Sequence, residues 1–234
     1  MGMLQPNQEF YKNTTNYQRI DSILAVALFC IVCALYALVA ILEDMYPIIK
    51  ENAILAGAIL NIVMIVITIV FIKVRNKRLS SIGLYHGKWK VSCLIGIILA
   101  TILFITNCLS NVINGASFVE GNKIIQFILY YFTVSLSEEI VFRGYIQTRL
   151  YGFIKNQYFV IIISGILFMV MHFPYRMIAY GMTISDLTIY NVGWILDLFI
   201  THTVLSLLYL KTNSLYGSII THWMSSLAYN LIAR

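Results

Sequence analysis

Seven apolar stretches dominate this chain: 22–42, 53–72, 91–109, 124–142, 158–173, 193–210 and 215–232. A helix needs about 20 apolar residues to cross a bilayer, and somewhat fewer where its ends snorkel. A chain of 234 residues built this way has little left outside the membrane. Composition agrees: 60% of the residues are hydrophobic and 11% are charged, against about 25% charged in a soluble domain. A soluble enzyme and a DNA-binding domain are excluded. The expected fold is all-α, a polytopic membrane helix bundle of about seven transmembrane helices, forming a single membrane domain over 1–234. Within it, 1–21 is a polar N-terminus without a signal-peptide pattern, 22–109 supplies scaffold helices, and 120–232 carries the chemistry.

The formal net charge of +6 is not a nucleic-acid signature, because the basic residues sit in short loops between apolar runs. With the N-terminus inside, the inner loops hold Lys12, Arg19, Lys73, Arg75, Lys77, Arg78, Lys88, Lys90, Arg143, Arg149, Lys155 and Lys211. The outer loops hold only Lys50, Lys123, Arg176 and Arg234. The excess of inner cations predicts a cytoplasmic N-terminus and a multi-pass protein of the cell membrane. Cys30, Cys33, Cys93 and Cys108 all fall within apolar runs and read as small packing residues. Cys30 and Cys33 form a CxxC, but no second pair follows to complete a metal site.

Ionisable side chains inside spans are costly and are functional candidates by default. They are confined to the second half: Glu138, Glu139 and Arg143 in the fourth stretch, His172 in the fifth, Asp197 and His202 in the sixth, His222 in the seventh. Glu139 and Arg143 are four apart with the acid first, the favourable order for an ion pair on one helix face. Glu138 points about 100° away. The pairing therefore leaves Glu138 free for general base work. Glu138 and His172 are equally far from Lys155, and His202 and His222 equally far from Thr212, so two hairpins would present polar groups at matched depths in one cavity. Upright helices would bury that cavity about 25 Å from the first turn. Part of 143–157 is accordingly expected at the interface. The plainer reading makes a single histidine such as His202 a packing residue bonded to a neighbour, and lets Asp197 reach water at the end of its span.

These residues fall into three ordered motifs: Glu138-Glu139-x-x-x-Arg143, Phe168-x-x-x-His172, and the run Gly-Ser-Ile-Ile-Thr-His222. The pattern resembles the CPBP intramembrane protease family, the CAAX-prenyl-endopeptidase and bacteriocin-processing (Abi) group, over about residues 120–230. The resemblance implies an intramembrane endopeptidase acting on a membrane-associated peptide or protein. It makes Glu138 the base, His172 a holder of the water and His222 a donor to the oxyanion, with Glu139, Arg143 and Phe168 in support. One position departs from the pattern: Ser226 stands where the family has Asn or Asp, four residues after His222. A second difference is His202, in Phe199-Ile-Thr-His202, where the family tends to have a small residue. It either adds a polar group to the cavity or compensates for the missing amide. The resemblance leaves a cofactor open: none, or a divalent metal such as zinc, which Glu138, His172 and His222 would hold. Ser226 also keeps a second reading in play, a weak or inactive relative that acts as a membrane regulator or bacteriocin-immunity protein by binding a partner. A proton-coupled transporter is a third reading, disfavoured by the lack of repeated halves and of paired broken helices.

Overall fold

In the computed structural model, residues 6–75, 77–84, 88–113 and 115–233 are described. Arg234 and the side chain of Cys108, both named above, lie outside the described residues. After a short helix α1 (Gln8–Thr15), the long helix α2 (Arg19–Met45) begins where Gln18 N–H donates to Asp21 at 2.8 Å, closing the first turn. A short α3 (Pro47–Glu51) leads into α4 (Ala53–Val74), and α5 (Trp89–Ile113) follows. The next helix opens as α6 (Gly121–Glu138), widens into a π-helix over Glu139–Gln147, and ends as α7 (Thr148–Leu150). Beyond a turn, α8 (Gln157–Val170) breaks at Met171 and His172 and resumes as α9 (Phe173–Ala179). α10 (Val192–Thr212) stops at Asn213, whose φ of 51° is the left-handed conformation of a helix C-terminus. α11 (Tyr216–Asn230) completes the bundle. Strands β1 (Ser117–Phe118) and β2 (Ile232–Ala233) pair antiparallel.

Among the described residues, six helices are long and apolar enough to cross a membrane: Arg19–Met45, Ala53–Val74, Trp89–Thr106, Lys123–Leu150, Gln157–Ala179 and Val192–Thr212. The bundle is all-α and polytopic as the sequence implied. The seventh stretch, 215–232, forms a helix of only 15 residues, about 22 Å long, short of a full span. The fifth is extended by α9 to Ala179. Residues 143–150 stay helical and buried by protein, so the chain turns at 151–156 and not earlier.

The loops sort onto two ends. At one, Asn7 N–H donates to Leu210, Lys88 N–H to Thr212, Leu215 N–H to Gly83, and Arg149 to Ser81, while Arg75 pairs with Asp21 at 3.0 Å. At the other, Tyr175 donates to Glu43 at 2.6 Å and Val119 N–H to Leu231. Between them, α2, α4 and α5 turn large apolar side chains outward, among them Ile62, Val66, Val70, Ile98, Ile102 and Ile105. An exposed apolar belt of this kind suits lipid, not water. Cys30 is exposed, and Cys33 and Cys93 are half-buried.

Two contacts decide where the last helix sits. α5 and α11 approach so closely that a Cβ on Gly96 would lie 2.6 Å from the Gly217 Cα, and one on Gly217 only 2.2 Å from the Ser92 carbonyl oxygen. Small residues at this crossing let the backbones touch, the usual device for packing helices in lipid. Polar bonds then lock the register: Ser92 donates to Ser214, Gly217 N–H to Ser92, and Thr221 to the Gly96 carbonyl. His222 follows Thr221 directly and is carried into the bundle.

Candidate active site

The π-helix begins at the residue that anchors the site. Glu139 is fully buried, and its Oε1 accepts from Arg143 Nη1 at 2.7 Å and from His222 Nδ1 at 2.8 Å. The i,i+4 ion pair read from the sequence is present, with both side chains out of solvent. Arg143 also lies over the ring of Phe168, 4.6 Å from its centroid. A guanidinium so placed is held by one carboxylate and one aromatic face.

Glu138 faces elsewhere, as two adjacent residues on a helix must. Its Oε1 accepts from the Tyr36 hydroxyl at 3.4 Å, and its Oε2 lies 3.7 Å from His222 Nε2. One imidazole thus bridges the two carboxylates, bonded to Glu139 and aimed at Glu138. With Nδ1–H committed to Glu139, Nε2 donates only when the ring carries both protons.

His172 sits in the break between α8 and α9. Its Nδ1 lies 2.8 Å from the Phe168 carbonyl, which can only accept, so Nδ1 carries the hydrogen and the neutral ring keeps its lone pair on Nε2. The Phe168-x-x-x-His172 spacing therefore fixes a tautomer. Phe168 packs edge-on against His172 and His222, with centroids 5.1 and 6.4 Å apart. Trp194 of α10 meets the His172 ring at 5.8 Å, and Tyr36 lies 6.5 Å from it. Sequence reasoning missed Tyr36 and Trp194. Neither belongs to a motif, and Tyr36 is 102 residues from Glu138.

His202 does not line this space. It is completely buried, with Nε2 3.0 Å from Ser164 Oγ and 3.1 Å from Ser206 Oγ. Ser206 donates to Gln147 Oε1 at 2.8 Å, and Ser164 donates to the Ile161 carbonyl at 3.1 Å. With both hydroxyl hydrogens spent, the His202 Nε2–H is the donor to both oxygens. His202 lies against Phe168 at 5.4 Å but belongs to a separate polar network. Ser226 is half-buried, and its carbonyl accepts from Asn230 Nδ2 at 2.8 Å. The Asn230 amide is thus turned onto its own helix. Asp197 is exposed on the outside of α10.

Metal binding makes a stricter demand. Among the described residues, no three of His, Cys, Asp and Glu converge as one ion's ligand set. Zinc takes ligands at about 2.0–2.3 Å. The residues as placed do not fit that geometry.

Residues 120–228, which contain all three motifs, match a family model described as Type II CAAX prenyl endopeptidase Rce1-like. No curated protein and no solved structure was matched by the chain.

Proposed function

We propose that the chain hydrolyses a peptide bond with a water activated by Glu138, because residues 120–228, set in a membrane-spanning bundle, match the Rce1-like type II CAAX prenyl endopeptidase model. The observation that carries this reading is the division of labour between adjacent acids. Glu139 is neutralised by Arg143 and His222, while Glu138 faces the space between His222 and Tyr36.

The steps follow from those contacts. Glu138 takes one proton from a water whose other hydrogen points to the His172 Nε2 lone pair. The water oxygen bonds to the peptide carbonyl carbon, and the carbonyl π pair moves onto oxygen. His222, protonated on both nitrogens and held by Glu139, donates to that oxyanion through Nε2–H. Collapse breaks the C–N bond, and Glu138 returns its proton to the leaving amine. A placed general base is worth about 10²–10⁴ in rate.

The substrate is a membrane-associated peptide or protein segment, and the bilayer is the protein's medium. The excess of cations in one set of loops supports a cytoplasmic N-terminus, and the cell membrane is the proposed location. Ser226 supports a second reading, a binding-only regulator or immunity protein, because its side chain is short for an oxyanion donor at that position.

The test uses the full chain in proteoliposomes with a fluorogenic S-farnesylated peptide ending in a CAAX box, alongside the same peptide without the prenyl group. Wild type should cleave, and Glu138→Gln should lose at least about 10²-fold while inserting normally. Equal cleavage by both proteins would remove Glu138 from the mechanism. A phenotype that survives Glu138→Gln would favour the binding reading.

A further inference from the structure

Tyr36 comes from α2, outside the segment that matches the family, and its hydroxyl donates to Glu138 Oε1 at 3.4 Å. Its ring is half-buried, 6.5 Å from that of His172 and tilted 31° to it. The hydroxyl thus reaches Glu138 while the ring lies beside His172, the two groups that would hold the attacking water. A phenol keeps its hydrogen at neutral pH and is a competent donor to developing negative charge. Resting on the reading of Glu138 as base, we propose that Tyr36 is a catalytic residue that donates its O–H to the oxyanion, in the role that Ser226 is too short to fill.

Before reaction, the negative charge is on Glu138, and Tyr36 donates to it over 3.4 Å, longer than the usual O–H···O bond of about 2.5–3.0 Å. As the water oxygen bonds to the carbonyl carbon, its proton passes to Glu138 and the carbonyl π pair moves onto oxygen. The negative charge leaves the carboxylate and appears on the carbonyl oxygen. Tyr36 gives up a weak bond to an acid that has become neutral and gains one to an oxyanion. Such a contact is stronger in the transition state than in the ground state, which is the condition for raising kcat and not merely lowering KM.

The other candidate donors are less well placed. Tyr130, also on the α6 face of the site, has its ring and hydroxyl against Gly57 of α4, with a Cβ there only 2.9 Å from both. The Asn230 amide is spent on the Ser226 carbonyl. A different role for Tyr36, holding Glu138 without touching substrate, would not be compensated by a donor on α11.

That difference sets the experiment. Wild type, Tyr36→Phe, Ser226→Asn and the double variant are compared in proteoliposomes on the farnesylated CAAX-box peptide. Tyr36→Phe should lower kcat by about 10²-fold with KM within about twofold, the usual loss for one oxyanion donor. Ser226→Asn should restore at least about tenfold of that loss in the double variant. An unchanged kcat in Tyr36→Phe, or no recovery in the double variant, overturns the proposal. A second readout needs no turnover. A peptide phosphinate, which carries the tetrahedral oxyanion, should bind Tyr36→Phe about 10²-fold more weakly than wild type, while the uncleaved parent peptide binds both equally. Equal phosphinate binding also overturns it. Full cleavage by Glu138→Gln would instead sink the general-base reading and is scored separately.

Discussion

His222 and Glu139 lie 83 residues apart in sequence, yet Nδ1 of the one meets Oε1 of the other at 2.8 Å, on the oxygen that also accepts from Arg143 at 2.7 Å. A single buried carboxylate oxygen therefore ties α11 to the π-helix and orients the ring that faces Glu138. Site geometry and fold stability depend on the same atom.

Glu139 should consequently be more damaging to replace than Glu138. Removing one member of a buried pair leaves the other charge uncompensated, at about 3–5 kcal/mol. Glu139→Gln is expected to lower the melting temperature in detergent micelles sharply and to abolish cleavage. Glu138→Gln should melt near wild type. Replacing both partners, as Glu139→Gln with Arg143→Met, should recover much of the lost stability but none of the activity. Similar melting of Glu139→Gln and wild type would contradict this account.

The His202 network predicts the opposite separation. Ser164 and Ser206 share His202 as a hub, with Gln147 joined through Ser206, away from the reacting groups. His202→Phe keeps a ring of similar size beside Phe168 but strips these hydroxyls of their donor, a loss of about 1–3 kcal/mol. Thermal stability should fall, while kcat of the remaining folded protein stays within about threefold. A loss of kcat approaching that of Glu138→Gln would place His202 in the chemistry after all.

The acid pair, its arginine and the order of the three motifs were legible because they rest on i,i+4 spacing within single helices and on the cost of charge in lipid. Matched depths of His202 and His222 from their turn were also legible, but depth alone does not say which way a side chain faces. His202 turned into α8 because Ser164 offered a partner there. Tyr36 was invisible for a different reason: an aromatic residue in an apolar helix carries no signal until the fold brings it to Glu138. The π-helix has no sequence period of its own, so nothing in the sequence showed that residues 139–150 continue as buried helix and that the turn waits until 151–156. A 15-residue α11 was hidden by an apolar run that continues past its end.

The α5–α11 crossing should be among the most sterically demanding contacts in the bundle. A Cβ at Gly217 would lie on the Ser92 carbonyl at 2.2 Å, against backbone that cannot swing aside. Gly217→Ala should therefore push α11 outward and carry His222 away from Glu139. Overpacking of this kind costs about 1–3 kcal/mol. Both stability and cleavage should drop, whereas Gly193→Ala, where a Cβ meets nothing within 4 Å, should leave both unchanged. Unaltered activity in Gly217→Ala would show that the crossing yields without moving the site.

One pH effect can be read outside the spans. At the start of the short helical segment before α10, Thr183 donates to Asp186 Oδ2 through both its backbone N–H and its hydroxyl, each at 2.7 Å. These bonds hold the Asp186 carboxyl below its ordinary value of 3.8. A depressed carboxylate stabilises the folded form above the unfolded value, and the effect disappears as pH falls through the folded one. Hydrogen exchange of residues 183–191, corrected for intrinsic rate, should be slow at pH 7 and faster below pH 3.8. Asp186→Asn should remove that dependence. Protection that is identical at both pH values in wild type would remove the carboxylate from the segment's support.

Metal dependence is the last separable question. Glu138 Oε2 and His222 Nε2 stand 3.7 Å apart, and among the described residues no third donor completes a ligand set with them. A zinc mechanism would also need the His222 Nε2 lone pair on the metal, whereas the proposed chemistry needs Nε2–H on the oxyanion; one nitrogen cannot do both at once. Cleavage of the farnesylated peptide should therefore persist, within about twofold, after dialysis against EDTA and in the presence of 1,10-phenanthroline. Activity that disappears under both chelators and returns with stoichiometric zinc would reassign His222 and Glu138 as ligands and overturn the metal-free general-base scheme.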